Sequence, residues 1–449
     1  MHTSRRSLVS GALVSGTFVS GALGAGALAG PLAASPAAAG MAPDAPAAAD
    51  QQQAADAYAA LAGFGDLRAG GPGDEACGAW MEAHLRAQGY AVTRQSFQTP
   101  FFEPTVAELR VGEAQVPVVP QAVVTLTGPD GVSGPLRVWR DPADTPAMAG
   151  AVALLVLPHG RHSQLAAQPI LSRVRQVAAA SPVAIVLVTT GPTGEALALN
   201  ADPEGPPVPM PMAVIGPRAA QPLMELARSG ALATLVLTGE AGRRPAFNLA
   251  GSIDRPGPRL VISTPRSGWG PCMGERGPGI AAFRILTAWA PVAFPGQAIS
   301  VVVTSGHEYD NLGGHIWLRD GAPPPDATRL WVHLGAGFAA RDWHEFGAML
   351  GPLLSVDPQR VLMGTPELVP ALRSAFAGLP GLEAAYPSTL GAAGELGEVL
   401  RAGYPRAFGM FGAHRFHHAA NDTSDKVDPA FVPPVTAALR RAIQGLLPV

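Results

Sequence analysis

The second half of the chain alternates short apolar runs with stretches of helical periodicity. After Phe247, β-branched runs predict strands at 260–263, 299–304 and 330–334. Periodic stretches predict helices at 280–289, 366–377 and 434–447. Strands that are covered by helices on both faces of a parallel sheet are continuously apolar, as these are. The pattern therefore predicts an α/β fold with a mostly parallel sheet flanked by helices.

The stretch from residue 56 to 104 begins a layer of the same kind. A predicted helix starts at Asp74 and ends at Gly89, and residues 90–97 alternate like a strand. We therefore assign residues 56–104 and 245–449 to one catalytic domain.

Residues 105–244 have a different sequence pattern, in which short β-branched runs are separated by Pro and Gly residues. The predicted elements are strands at 152–157, 183–188, 212–215 and 233–237 and a helix at 219–229. Candidate catalytic groups are few in this segment. We therefore predict an inserted, smaller, β-rich domain that shapes access to the site.

The first 55 residues predict an export signal and a leader. Arg5 and Arg6 precede a weakly hydrophobic run, and small residues at 37–39 offer a cleavage site, as in a twin-arginine signal peptide over residues 1–39. Glycines and serines in the run favour cleavage over the alternative, a membrane anchor. Residues 40–55, rich in Ala, Pro and Gln, predict a disordered leader. The mature protein is expected to be periplasmic or secreted, without a stable membrane span.

Composition narrows the function classes. The 449 residues carry 31 basic and 34 acidic side chains, a formal net charge of -3, which gives no electrostatic support for nucleic-acid binding. A hydrophobic fraction of 47% argues against intrinsic disorder. Two cysteines, Cys77 and Cys272, exclude a disulfide scaffold and a four-cysteine zinc site. None of these numbers indicates an oligomeric state.

Polar and reactive side chains gather after the predicted strands. In open α/β sheets, ligands bind where the carboxyl ends of the strands meet. The residues found in these loops and in the last loop before the C-terminal helix are Arg266, Cys272, Glu275, His307, Glu308, Asp310, His417, His418 and Asp422. The sequence thus predicts one site at this edge of the sheet.

Several of these loops carry a recognisable series of motifs. The series includes Glu275-Arg-Gly-Pro-Gly279, Gly306-His307-Glu308 and His418-x-x-x-Asp422-Thr423. With these motifs the chain resembles the co-catalytic zinc exopeptidases of metallopeptidase family 28, of the aminopeptidase and glutamate-carboxypeptidase type. The resemblance implies a protease-associated (PA) domain inserted after the first helix and strand, where residues 105–244 lie. It also implies hydrolysis of a peptide or small amide substrate.

The metal-binding positions depart from that family. Where the resemblance implies a first His and a nearby Asp, the chain has Thr264 and Arg266, and where it implies a later Asp the chain has Gly335. The positions of one zinc ion remain, and they imply Glu275, Glu308 and His418 as ligands. Three such ligands with an open fourth position are compatible with a catalytic zinc ion.

The general-base position of the family holds His307 in this chain. An imidazole titrates near neutral pH and could act as acid and base or stabilise an oxyanion. Arg266 is interpreted as an anchor for substrate charge or as an occupant of the vacated second metal site. The favoured function is thus an exported hydrolase of amide or peptide bonds with one zinc ion.

Other interpretations remain open. Cys272 could act as a nucleophile in a metal-free enzyme, with His307 or His418 as its base. Single-zinc relatives that cyclise N-terminal glutamine keep the same ligand positions, although they retain a carboxylate base. A third alternative is an inactive binding protein of the same fold. His417 is interpreted as a solvated neighbour of the site, and Asp422 as a cap of the turn that follows it.

Overall fold

A computed structural model describes residues 45–347 and 349–447. The predicted signal peptide and the first part of the predicted leader lie outside the described residues. No helix among the described residues is both long enough and apolar enough to cross a membrane.

The helices and strands follow one another along the chain in a mixed order. The helices are α1 Ala45–Phe64, α2 Pro72–Ala87, α3 Gln168–Ala179, α4 Pro217–Arg228, α5 Met273–Ala293, α6 Leu312–Asp320, α7 Val369–Ala375, α8 Gly394–Arg401 and α9 Val432–Leu446. The first eight strands are β1 Ala91–Val111, β2 Ala114–Pro117, β3 Val119–Pro120, β4 Val132–Trp139, β5 Val152–Val156, β6 Ala184–Val188, β7 Met212–Ile215 and β8 Leu232–Ile253. The others are β9 Arg259–Pro265, β10 Ile299–Thr304, β11 Thr328–Leu334, β12 Arg341–Phe346, β13 Met349–Val356, β14 Arg360–Gly364, β15 Tyr386–Pro387 and β16 Ala407–Gly412.

A large sheet organises the described chain. Strands β10, β9, β11 and β16 run parallel to one another in that order, and β14 adds to β16 in the antiparallel direction. A second parallel group runs β4, β5, β6 and β7. The long strand β8 joins the groups, since it pairs antiparallel with both β10 and β4. The predicted α/β class with a mostly parallel, helix-flanked sheet is confirmed.

Strands β1 and β8 form one continuous antiparallel ribbon. Their register runs from Ala91 opposite Ser252 to Val111 opposite Ala233, with one irregularity between Pro104 and Val106. The predicted domain limits at residues 104 and 244 fall inside these two strands. The ribbon therefore carries the chain from the first part of the sheet into the second without a flexible linker.

Separate apolar cores lie along the ribbon. The larger core is built from α1, α5, α9 and the strands β9 to β11, with residues such as Phe283, Ile262 and Leu439 fully buried. Residues 105–244 form their own cores on either face of β5 and β6, with Val186 on one face and Leu187 on the other. Each part of the sheet thus buries its own side chains.

The prediction of a disordered leader is wrong for residues 45–55. They form the first half of α1, and Asp50 is buried against α9. The Asp50 carboxylate accepts hydrogen bonds from Thr436 Oγ1 at 2.6 Å and Arg440 Nη1 at 2.8 Å. Alanine, the residue with the highest helix propensity, dominates this stretch, and tertiary contacts fix the helix in place.

Candidate functional site

The first turn of α5 lies at the carboxyl edge of the parallel strands. The backbone amides of its second and third residues are capped from a distant loop: Gly274 N–H donates to Asp422 Oδ1 at 2.8 Å and Glu275 N–H donates to Asp422 Oδ2 at 3.0 Å. A carboxylate is favourable there because the N-terminus of a helix carries partial positive charge. The sequence had indicated that Asp422 caps the turn that follows it, but in the structure Asp422 caps α5. The cap fixes where the Glu275 side chain begins.

His418 faces Glu275 across this turn. Its Nε2 lies 3.5 Å from Glu275 Oε1, and its Nδ1 lies 2.7 Å from the carbonyl oxygen of Ala198. A carbonyl only accepts hydrogen bonds, so Nδ1 carries the proton and Nε2 is left with its lone pair. This is the arrangement by which proteins orient a histidine toward a metal ion.

His417 completes the group and is not the solvated neighbour that we predicted. It is buried, and its ring stacks on that of His418 with centroids 4.1 Å apart. Burial lowers the pKa of His417 well below its usual value, with a further contribution from His418. Ligand atoms of Glu275, His417 and His418 lie within 4.8 Å of one another, and no other such group is found in the described part of the chain. The sequence motifs had indicated Glu275 and His418 as ligands, and the only signal for His417 was its position next to His418.

Many polar atoms around this group have no hydrogen-bond partner. Both carboxylate oxygens of Glu275, Nδ1 of His417 and both ring nitrogens of His414 are buried and make no hydrogen bond. Two of these atoms have an oppositely charged neighbour instead, since Arg276 Nη2 lies 2.6 Å from Glu275 Oε1 and Asp422 Oδ2 lies 3.4 Å from His414 Nε2. Native proteins rarely leave such atoms without a partner, because each costs about 1–3 kcal/mol. One carboxylate and two imidazoles are also a donor set that zinc accepts. The residues present therefore fit a metal ion.

Arg276 brings a positive charge to the same group. Its Nη2 lies 2.6 Å from Glu275 Oε1, and its Nε donates to the Ser267 carbonyl at 2.6 Å. Burial alone would raise the pKa of Glu275, but the charge of Arg276, with further contributions from the neighbouring His418 and His417 side chains, outweighs it and holds that pKa well below its usual value. Glu275 is therefore a carboxylate at neutral pH. Sequence reasoning counted Arg276 among the polar side chains at the strand ends but gave it no role of its own.

The structure does not bring Glu308 into the group of metal-binding atoms. Glu308 Oε1 accepts from Ala69 N–H at 2.7 Å, and Oε2 accepts from Ser267 Oγ at 2.6 Å. Ser267 Oγ in turn accepts from Gly306 N–H at 2.7 Å. Burial raises the pKa of Glu308. Both oxygens are thus committed to holding two loops together.

His307 lies beside a carboxylate that the sequence had not indicated. Its Nδ1 is 3.6 Å from Oε1 of Glu395, the second residue of α8, and Thr304 Oγ1 donates to that same oxygen at 2.7 Å. Burial lowers the pKa of His307, and the charge of Arg276 lowers it further. A neutral imidazole next to an orienting carboxylate is competent to accept a proton.

The prediction that Arg266 anchors substrate charge is wrong. The side chain is 0% exposed, and its Nε lies 2.8 Å from Asp74 Oδ1. Its Nη2 donates to the Phe247 carbonyl at 2.7 Å and its Nη1 donates to the Val303 carbonyl at 3.2 Å. Arg266 therefore ties α2 to the sheet from inside the core and presents no group to a ligand.

The environment of Cys272 opposes its predicted role as a nucleophile. Cys272 precedes α5 in a left-handed conformation with φ of 51° and is 4% exposed. Burial raises the pKa of the thiol well above its usual value, and the nearby charges of Glu275 and Asp422 raise it further. A reactive cysteine needs the opposite, an electropositive and partly exposed setting.

The two positions that lost a ligand have new neighbours. Thr264 Oγ1 donates to the Leu334 carbonyl at 2.8 Å. A Cβ atom on Gly335 would lie 2.6 Å from the Met410 carbonyl oxygen. The Thr264 hydroxyl is thus bonded to the main chain, and a side chain at position 335 would require the backbone to shift.

Several solved structures share this fold. The chain is similar to an aminopeptidase from Aneurinibacillus sp. strain AM-1 (16% identity, 88% of this chain and 93% of that one, TM-score 0.60). It is also similar to a zinc aminopeptidase from Bacillus subtilis (12% identity, 88% and 94%, TM-score 0.66) and to a peptidase M28 precursor from Shewanella amazonensis (16% identity, 89% and 96%, TM-score 0.62). The protein thus has a zinc-exopeptidase-like fold. No family model matches the chain, and no curated protein matches it.

Proposed function

We propose that the protein hydrolyses an amide or peptide bond with the help of one zinc ion held by Glu275, His417 and His418. The observation that carries this proposal is the buried group of Glu275, His417 and His418 at the carboxyl edge of the sheet, in which Glu275 and His417 Nδ1 make no hydrogen bond. The similar structures, two aminopeptidases and a peptidase precursor, support the same reaction class.

Glu275, His418 and His307 have different roles in the proposed reaction. Glu275 supplies negative charge, and His418 offers Nε2 because Ala198 holds the proton on Nδ1. A zinc ion bound there would polarise a carbonyl group and lower the pKa of water. His307, with Nδ1 turned to Glu395, accepts the proton of the attacking water at Nε2 and passes it to the leaving amine.

The remaining assignments complete the proposal. Residues 1–39 direct twin-arginine export, and the mature protein acts on peptides or small amides in the periplasm or outside the cell. Residues 105–244 act as an inserted PA-like domain that limits access to the site. Loop 197–201 of that segment supports this role, since it contacts His418 and Glu308 through backbone hydrogen bonds.

Metal analysis of the purified mature protein tests the proposal. We expect about one zinc ion per chain, lost in His417→Ala and His418→Ala. Glu308→Gln separates the two possible ligand sets: the variant keeps its zinc if His417 is the third ligand and loses it if Glu308 is. A wild-type protein without bound zinc would rule out the zinc mechanism and favour an inactive binding protein.

Activity toward a panel of peptides and amides provides the second measurement. We expect hydrolysis by the wild type and at least a hundredfold loss in His307→Ala, because a positioned acid or base contributes about 10²–10⁴-fold. Cys272→Ala is the matched control and retains activity. Equal activity in His307→Ala and the wild type would contradict the role of His307.

A further inference from the structure

A cavity of about 260 Å³ lies between the two parts of the sheet, next to the proposed metal site. We call it the aromatic pocket, because Phe101, Phe102, Trp269 and Tyr309 line it. Two other cavities, of about 450 and 500 Å³, lie at the opposite edge of the sheet, near the first residues of β9 to β11. Of these three, the aromatic pocket is the one adjacent to the proposed chemistry.

Three residues connect the pocket to the site. Ala198 lines the pocket, and its carbonyl accepts the hydrogen bond from His418 Nδ1. Tyr309 and Ala420 also line it, and they follow Glu308 by one residue and His418 by two. The pocket therefore shares a wall with the backbone that holds His418.

The pocket is suited to an uncharged, bulky group. Its volume exceeds the roughly 150 Å³ of an apolar cavity that accepts benzene. Each charged residue of its lining has a partner: Arg68 lies 3.0 Å from Asp66, and Arg244 lies 2.9 Å from Glu103, which does not itself line the pocket. Both lining arginines are thus paired with carboxylates.

The aromatic rings of the pocket are available for contact. Trp269 and Tyr309 meet edge to face with centroids 5.6 Å apart, and the Trp269 indole is fixed by its hydrogen bond to Asn200 at 2.8 Å. The Tyr309 hydroxyl has no hydrogen-bond partner within residues 45–347 and 349–447. The exposed residues Asp66 and Ala420 mark an opening to solvent.

We infer that the aromatic pocket binds the aromatic side chain of the residue next to the bond that is cleaved. This inference rests on the proposed function and specifies its substrate class, peptides with an aromatic residue at the cleaved position. Edge-to-face contacts with Trp269 and Tyr309 favour an aromatic ring over an aliphatic chain of similar size. A peptide with alanine at that position leaves the pocket empty.

Binding of free amino acids tests the inference without any need for turnover. L-Phenylalanine and L-alanine differ only by the phenyl group, and calorimetry on the wild-type protein gives both dissociation constants. We expect phenylalanine to bind at least about tenfold more tightly, as burial of a bulky apolar group implies. Equal affinities, or no binding of phenylalanine, would overturn the inference.

Variants locate the preference. Ala420→Trp at the exposed rim and Val124→Trp on the opposite wall both fill the pocket, and either should reduce the ratio of affinities to about one. Ala83→Trp, an equal change on the exposed face of α2, should keep the wild-type ratio. A preference that persists in both filled variants places the phenyl group elsewhere.

The two proposals fail in different ways. A protein that prefers phenylalanine but hydrolyses no peptide retains the pocket and loses the proposed reaction. A protein that hydrolyses alanine and phenylalanine peptides with equal kcat/KM, and binds both amino acids equally, retains the reaction and loses the pocket.

Discussion

Strained backbone conformations mark the site at the scale of single residues. Among the residues that the structure describes, five other than glycine have positive φ, and four of these are Cys272, Asp310, Asn311 and His418, in the loops around the proposed metal group. Such conformations cost about 1–3 kcal/mol each and accumulate at functional sites. Here the strain turns the His418 ring toward Glu275 while its main chain bonds to Ala198.

His333 predicts a dependence of stability on pH. It is buried with Nδ1 2.9 Å from Ser263 Oγ, and burial lowers its pKa to about 4. The unfolded chain takes up the proton near pH 6.5, so stability falls as pH drops from about 6.5 to 4, by on the order of 3 kcal/mol. Urea unfolding across this range should show a flatter profile for His333→Asn.

The matched control for that measurement is His344→Asn on the exposed strand β12. It should keep the wild-type pH profile. If His333→Asn and the wild type lose the same amount of stability between pH 6.5 and 4, the buried ring is not the cause.

The two arginines of the α5 region show where residue-level prediction ends. The motif correctly drew attention to the loop after β9, but it could not tell which guanidinium faces the site. Arg266 turns back under the Phe247 ring, whose centroid is 4.4 Å from its Cζ, whereas Arg276 contacts Glu275. The direction of a loop side chain is set by packing partners far away in sequence, which a single sequence does not reveal.

At the scale of elements, the N-terminus of α5 depends on a cap that comes from 148 residues further along the chain. A Cβ on Gly274 would lie 2.5 Å from His414 Cε1 and 2.8 Å from Asp422 Oδ1. The close approach of that loop therefore requires glycine at this position. Helix, loop and histidine group are consequently one structural unit.

Asp422→Asn should weaken this unit. The amide loses the negative charge and one of the two accepting oxygens, so we expect a loss of about 1–2 kcal/mol in the free energy of unfolding. Zinc affinity should fall with it, since the backbone of Glu275 loses its partner. Denaturant unfolding and zinc titration measure the two effects.

Asp130→Asn, an exposed carboxylate in the turn before β4, serves as the control and should change neither quantity by much. Unchanged zinc affinity in Asp422→Asn would show that the cap does not position Glu275.

Sequence reasoning located the short buried strands well. The limits of β7 and β10 were predicted to the residue, because continuous apolar runs between turn residues leave little ambiguity. The ribbon of β1 and β8 was predicted only in pieces, since its Pro and Gly residues normally end strands. Pairing over the whole ribbon holds these residues in extended conformation, which is a tertiary effect.

At the scale of the whole molecule, segment 105–244 is docked onto the site by loop 197–201. Ala198 and Ala201 bond to the backbones of His418 and Glu308, and Asn200 Oδ1 accepts from Trp269 Nε1 at 2.8 Å. Beneath the loop, Glu308 is 0% and His418 is 3% exposed. Neither sequence segment alone indicated this contact.

A double-mutant cycle measures one part of that docking. Asn200→Ala, Trp269→Phe and the double variant should give a coupling energy of about 0.5–1.5 kcal/mol in unfolding, the net value of one hydrogen bond. Additive single effects would show that the bond does not hold loop 197–201 in solution.

The ribbon has a consequence for how the chain can be shortened. Phe101 pairs with Gly242 and Phe102 with Ala241, so the two ends of segment 103–240 meet at neighbouring rungs of one ladder. A two-residue Asn-Gly turn can close such a pair as an ordinary hairpin. After excision of the segment, the two remaining strand ends would therefore already lie next to each other and could be joined by such a turn. The shortened chain would lack the Ala198 carbonyl that fixes the tautomer of His418.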